Sequence, residues 1–416
     1  MNSEMKSDWK KNTILFLASQ TVSLFGTSLV QYAIMWSITL RTQSGAMITL
    51  SIIAGFLPTF LLSPFSGVWA DRYPRKAIIA LADSMIAVAT LVLAGLFALG
   101  YDAIWLLLMM SSVRALGSGV QNPAVHAFLP QLVPDDKLMK VTATSGSIQS
   151  MVSIVSPMAA GALLTVAPIQ SIFLIDAVTA AIAVIILLGF LKVPAHAKAA
   201  SAQSTSYLSD LRDGIRYIRN HAYLMTFSLL NVAFCLLVAP VAFLTPLQVT
   251  RNYGEAVWRL TAIEVTFSGG MMLGGLVMAS WGGLPNKVHS MVLANFIIGA
   301  FTAALGFVTP FWIYCGFMVL IGMAFPLFNA PSNVLLQQQV EDSYRGRVFG
   351  VQGMIWSSMM PLGSLVFGPL ADVIRIEWLL IGTGLLMCVQ SMVMLSSKVM
   401  VEAGRPVVPQ PTNSSV

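Results

Sequence analysis

The sequence predicts an all-α membrane protein with twelve transmembrane helices in two pseudo-symmetric six-helix bundles. Three observations predict it. Of 416 residues, 56% are hydrophobic and only 10% are charged, against about 25% charged in a soluble domain. The apolar residues form continuous runs of about the 20 residues that one helical crossing needs, roughly twice the segments of an outer-membrane barrel. Features of the first half also recur 208 residues later: Gly67 as Gly275, near the end of a second span, and Pro123 as Pro331, near the end of a fourth. Twenty Pro and 31 Gly suit membrane helices, where neighbouring helices re-satisfy freed backbone groups.

In chain order the spans fall near 13–40, 46–70, 77–99, 103–128, 139–165 and 169–191, then 223–250, 259–281, 289–308, 311–338, 346–371 and 376–397. The polar segment Met1 to Asn12 precedes an apolar run too long for a signal-peptide core, so the first run is read as a retained span. Residues 1–191 make an N-terminal bundle, 192–221 a linker, and 222–416 a C-terminal bundle with a short tail. The linker opens with a small, polar tract, Ala195 to Ser206. Leu208, Leu211, Ile215 and Ile218 then recur at helical spacing among charged residues, predicting an amphipathic helix on the inner membrane surface.

Lys and Arg set the orientation. One set of connections holds 18 of them, while the opposite set holds only Arg41, Arg251, Arg259 and Arg375. Both termini are therefore expected in the cytoplasm of a cell with a bacterial-type cytoplasmic membrane. The net charge of +6 is a topology signal and not a nucleic-acid footprint. The three cysteines, Cys235, Cys315 and Cys388, stand singly in apolar runs, with no ligand spacing for a metal and no pairing for a disulfide. No G-x-x-x-x-G-K-[ST] loop and no nucleophile–base spacing occur. The expectation is a non-enzyme without cofactor, driven by an ion gradient.

The densest charge in the first half lies at Gly67-Val-Trp-Ala-Asp71-Arg72-Tyr-Pro74-Arg75-Lys76, between the second and third spans. Bases alone would anchor the cytoplasmic side. Gly67 allows close helix approach, and Asp71 can accept hydrogen bonds from bases or a helix N-terminus, so the stretch also reads as a cytoplasmic gate. The second-half stretch Gly275 to Lys287 has no acid. Arg114 sits about eleven residues into the fourth span, where a charge costs about 2.5–3.5 kcal/mol or more and Arg cannot shed its proton. Asp83, Asp176 and Glu264 are embedded acids, each a candidate proton carrier or counter-ion for a cationic ligand. For Asp83, two turns from Lys76, a local pairing is expected. Gln31, Tyr32, Trp36, Gln149, Asn231, Phe234, Asn329 and Gln352 fall on spans expected to line a centre, and 24 Met suit an adaptable apolar pocket.

These motifs carry a resemblance. Gly67, Asp71, Arg72, Arg75 and Lys76 resemble the signature of the major facilitator superfamily between spans 2 and 3, with Pro74 where the family usually has Gly. Arg114, followed by Ala115-Leu-Gly117-Ser-Gly119, resembles its span-4 arginine. Gly146 and Ser156-Pro157-Met-Ala-Ala160-Gly161 resemble the Gly-Pro-x-x-Gly-Gly element of its antiporters. Phrases such as Gln20-Thr-Val-Ser-Leu24, Gly55-Phe-Leu-Pro58 and Arg345-Gly-Arg-Val-Phe349 resemble the macrolide-efflux branch of the drug:proton antiporters. The resemblance implies a monomeric, alternating-access exporter of amphiphilic small molecules in exchange for protons. Siderophore or other metabolite export, import or uniport by the same fold, and a non-transporting sensor remain the alternatives.

Overall fold

The computed structural model describes residues 3–191, 207–307 and 310–405. The helices are α1 (Ser3–Thr42), α2 (Gly45–Arg72), α3 (Arg75–Ala98), α4 (Ile104–Leu132), α5 (Asp135–Val166), α6 (Ile169–Ile185, ending in a π turn, Ile186–Phe190), α7 (Tyr207–Asn220), α8 (Ala222–Phe243), α9 (Thr245–Tyr253), α10 (Val257–Trp281), α11 (Lys287–Leu305), α12 (Phe311–Gln339), α13 (Arg345–Val373), α14 (Ile376–Ser396) and α15 (Lys398–Ala403). Among the described residues there is no strand, and 12 helical stretches are long and apolar enough to cross a membrane. An offset of 208 residues carries Ile104–Leu132 onto Trp312–Val340, where α12 runs Phe311–Gln339, and Asp135–Val166 onto Ser343–Ile374, where α13 runs Arg345–Val373. The repeat read from one Gly and one Pro thus extends to whole helix limits.

Two compact units emerge. The first holds the chain to residue 204 together with 243–265 and 368–373; the second holds 205–242, 266–367 and 374–416. Lipid tails are as apolar as Leu, so membrane helices associate through shape, small residues and hydrogen bonds rather than hydrophobic burial. Each unit shows this. In the first, Phe16 and Phe128 meet edge-on at 5.1 Å over Ile79, Ala124 and Leu187. In the second, Phe234 stacks on Phe328 at 4.7 Å, and Gly270, Gly274 and Gly322 let α10 and α12 approach until an added Cβ would clash with backbone. The sequence reading singled out Gly275, but a Cβ there meets open space; its neighbour Gly274 makes the close approach.

Proline breaks in α4, α5, α8 and α12 leave the helices continuous, as membrane helices permit. Pro74 caps α3 at φ −59° and ψ 114°, a conformation natural to proline. No left-handed residue is needed in that turn, so replacing the family's usual Gly distorts nothing.

The amphipathic helix is present as α7, and one of its faces packs on protein. Gly214 packs on the backbone of Arg347, where an added Cβ would lie 3.0 Å from the carbonyl oxygen. Tyr217 stacks on Tyr344 at 4.4 Å and accepts a hydrogen bond from the Glu341 amide at 3.3 Å. Tyr217 and Ile218 are buried while Ile215 is exposed. The start of α13 thus covers the Gly214–Tyr217–Ile218 face and leaves Ile215 uncovered. The Leu208 side chain and the Ala195–Ser206 tract lie outside what the structure describes.

Candidate functional site

Three ionisable acid or base side chains are buried among the described residues, Asp83, Arg114 and Asp176, and all lie in the first unit. Arg114 on α4 donates to Asp176 of α6 at 2.5 Å, to the Thr90 hydroxyl of α3 at 3.0 Å and to the Thr27 carbonyl of α1 at 3.1 Å. Thr90 in turn bonds Asp176 at 3.1 Å. The arginine therefore ties four helices through one guanidinium, whose rigid fork of donors suits such convergence. Asp176 takes its base from 62 residues away in the chain. Close packing seals the pair: a Cβ on Gly26 would clash with Thr179 and lie 3.0 Å from Asp176 Oδ1.

Asp83 corrects an expectation. Lys76 does not reach it. Lys76 instead donates to the Leu188 and Leu191 carbonyls at 3.3 and 2.7 Å, which the end of α6 and its π turn leave without helical partners. Asp83 Oδ1 accepts from Ser23 at 2.7 Å and Gln121 at 2.8 Å. Its Oδ2 has no hydrogen-bond partner among the described residues. Both donors are neutral. Glu264 is half-buried on α10 and stands within electrostatic reach of Tyr32.

Two cavities open beside these groups, both within the first unit. The larger, about 480 Å³, is walled by α1, α4 and α5 and includes Gln20, Gln31, Gln121, Asn122, His126 and Gln149. The smaller, about 380 Å³, is walled by α1, α2 and α4, with Arg114, Met35, Ile52 and Phe56 in its lining. Gln31 and Gln149 line the larger cavity, and Trp36, Asn231, Phe234 and Gln352 line neither cavity. Trp36 and Phe234 are 0% and 1% exposed, and Asn231 and Gln352 bond each other at 3.1 Å, with Gln352 also donating to Ser228. Asn329 is half-buried on α12.

In the charged stretch, Arg75 donates to the Ala127 carbonyl of α4 at 2.6 Å and Arg72 is exposed. The surroundings of Gly67 and Asp71 lie outside the described residues. In the antiporter-type element, Ser156, Pro157, Ala160 and Gly161 are buried while Gly146 is exposed. Gly161 packs so closely on Thr261 that a Cβ would overlap its hydroxyl.

Sequence reasoning missed Ser23, Thr90 and Gln121. Gln121 carried a usable signal, an amide pair with Asn122 on an apolar span one helical turn beyond Ser118. It also missed a clasp at the α2 N-terminus. There Asp372 accepts from Ser44 Oγ and the Gly45 amide at 2.7 Å and from the Ala46 amide at 3.0 Å, while Arg251 donates to Asp372 at 3.1 Å and to the Ala371 carbonyl at 2.8 Å. A carboxylate on free helix N–H groups is the favourable arrangement.

A family model described as Major Facilitator Superfamily matches residues 15–364. The chain is 28% identical over 389 residues to Macrolide efflux protein A of Streptococcus pyogenes, covering 93% of this chain and 96% of that protein. It is 22% identical to Multidrug efflux pump Tap of Mycobacterium bovis over 86% of each chain. Among solved structures, a POT family transporter in complex with 5-aminolevulinic acid matches with a TM-score of 0.72 at 12% identity, over 92% of this chain and 95% of that one. The nucleoside transporter NupG matches with a TM-score of 0.66 at 15% identity, over 94% and 100%. At such identities the structures establish a shared fold.

Proposed function

Because the chain belongs to the Major Facilitator Superfamily, we propose that it is a secondary active exporter of amphiphilic, macrolide-like small molecules, working by proton antiport and alternating access. The observation that carries the coupling is the contrast between the two buried aspartates. Asp176 holds Arg114 at 2.5 Å, and a proton on it would strand a buried guanidinium, a costly outcome. Asp83 has only neutral donors and one unpartnered oxygen. A proton can come and go there without leaving a cation alone. Ser23 and Gln121 hold Asp83 and also line the larger cavity, so a change of charge on Asp83 reorients groups that face the substrate.

In this cycle Asp83 takes a proton when the site faces outward, which loosens its hold on Ser23 and Gln121 and releases substrate. Proton loss inward restores both bonds and the loading state. Arg114–Asp176 stays ionised and keeps α1, α3, α4 and α6 in register. Glu264, beside Tyr32, is a second entry point for the proton. The Gly67–Lys76 stretch closes the cytoplasmic face, and both termini lie in the cytoplasm, in keeping with the 18 bases on that set of connections. The protein acts as a monomer in the cytoplasmic membrane, with a proton gradient in place of any cofactor. The efflux pumps among its relatives support the direction.

The test is uptake of a radiolabelled macrolide into inside-out vesicles with an imposed pH gradient. The native protein drives uptake that collapses with the gradient. Asp83→Asn, uncharged at every pH and so held in the releasing state, loses gradient-driven uptake, and Asp71→Asn slows uptake with abundance unchanged. Uptake that ignores the gradient would sink antiport, and gradient-driven uptake by Asp83→Asn would remove that residue from the coupling.

A further inference from the structure

The two cavities differ in chemistry and meet at three residues, Thr27, Gln31 and Ser118, which line both. In the larger, positions 20, 24, 27, 28 and 31 of α1 recur at helical spacing, as do 118, 121, 122 and 125 of α4 and 145, 148 and 149 of α5. Five of the side chains on these faces are amides, Gln20, Gln31, Gln121, Asn122 and Gln149, and hydroxyls lie between them. No Asp, Glu, Lys or Arg is in the lining. Each amide offers two donors and an acceptor, and Gln20 Nε2 is buried with no partner among the described residues. A polar stripe on three otherwise apolar membrane helices is expensive unless something hydrogen-bonds to it.

The smaller cavity is of the opposite kind. Ile34, Met35, Ile48, Ile52 and Phe56 dominate it, and its one charge, Arg114, is neutralised by Asp176 and gives three of its five donors to Asp176, Thr90 and the Thr27 carbonyl. Soft methionine and flat phenylalanine adapt to varied apolar shapes. From Phe16 to Met35 the two cavities follow α1 for about 28 Å at 1.5 Å per residue, longer than a simple drug cation.

We infer that the two cavities form one bipartite site for an amphiphile with an uncharged, hydroxyl-rich head, such as a glycoside, the head among the amides of α1, α4 and α5 and the apolar body against Ile52 and Phe56. This deepens the export reading and rests on its premise that the chain binds amphiphiles. It commits to a neutral head over a lipophilic cation because no anionic side chain lines either cavity; Asp83 stands behind Ser23 and Gln121.

Equilibrium binding to the full chain in lipid nanodiscs tests this without requiring transport, using a flavonoid glycoside, its aglycone and tetraphenylphosphonium, each corrected with empty discs. The glycoside binds about tenfold more tightly than the aglycone, the worth of one or two hydrogen bonds, and tetraphenylphosphonium binds most weakly. Asn122→Leu with Gln149→Leu brings the glycoside down to the aglycone, while Phe56→Ser weakens both in proportion. The inference is overturned if tetraphenylphosphonium binds as tightly as the glycoside, if the double variant keeps the glycoside preference, or if none of the three binds. Ordered binding without gradient-driven uptake would leave this inference standing and remove the export reading. Uptake without the glycoside preference would do the reverse.

Discussion

The two sequence repeats solve one packing problem in opposite ways. In the first, α3, α4 and α6 are joined by Thr90, Arg114 and Asp176, a buried ion pair with its hydrogen bonds. The 208-residue offset carries those positions to Ile298, Gly322 and Gly384. There α14 meets α11 backbone to backbone: a Cβ on Gly384 would lie 2.5 Å from the Gly299 carbonyl oxygen, and one on Gly299 would lie 2.7 Å from the Gly384 carbonyl oxygen. Gly322 approaches the Phe267 carbonyl of α10 as closely. The polar groups buried nearby are neutral amides, with Asn295 donating to the Met387 carbonyl and Gln390 to the Leu230 carbonyl. Both devices hold helices together where lipid offers no hydrophobic drive. Among the described residues, buried charge lies only in the first repeat, so one repeat is tied by an ion pair and the other by close backbone packing.

Substitution should separate the two devices. The largest effect is expected at the glycine seam. Gly384→Leu places a side chain where only backbone fits, and the protein should vanish from the monodisperse peak in fluorescence-detected size-exclusion chromatography; a normal peak would show the seam to be loose. Next comes the ion pair. Arg114→Leu leaves a buried carboxylate alone and should cost about 3–5 kcal/mol, while Arg114→Leu with Asp176→Leu should recover most of that loss. Thermal unfolding in detergent reads both, and equal destabilisation by the single and double variants would refute the pairing as a stability element. The smallest effect belongs to Thr90→Val, which removes one interhelical hydroxyl. An average membrane hydrogen bond is worth about 0.6 kcal/mol, so the unfolding midpoint should fall by a few degrees at most.

The periodic part of the structure was legible in advance because span length is a local property. The twelve expected spans overlie the twelve observed ones, and even the repeat register could be read from Gly67 and Pro123. Tertiary partners were not legible. Seven residues separate Lys76 from Asp83, which puts them on one helix face and suggests a pair, yet the carbonyls ending α6 compete for Lys76 and win. Arg114 demanded a partner, but nothing in the sequence chose among three acids. For α7, an apolar stripe states that something covers it, and lipid and protein answer that equally well until Gly214 is seen against Arg347. Which aromatic and amide residues of the central spans face a cavity was not legible either, because packing uses the same side chains, as Phe234 on Phe328 demonstrates.

The three thiols have a practical consequence. Cys235 and Cys315 are buried, and Cys388 is half-buried with its Sγ 3.9 Å from the Phe296 carbonyl. A chain this long with one partly accessible thiol is close to a blank background for reporter chemistry. After Cys388→Ser, a single Gln149→Cys would put the sole reactive group in the wall of the larger cavity. The rate at which a membrane-impermeant maleimide modifies it from each face of the bilayer would then time how often that wall meets each aqueous phase.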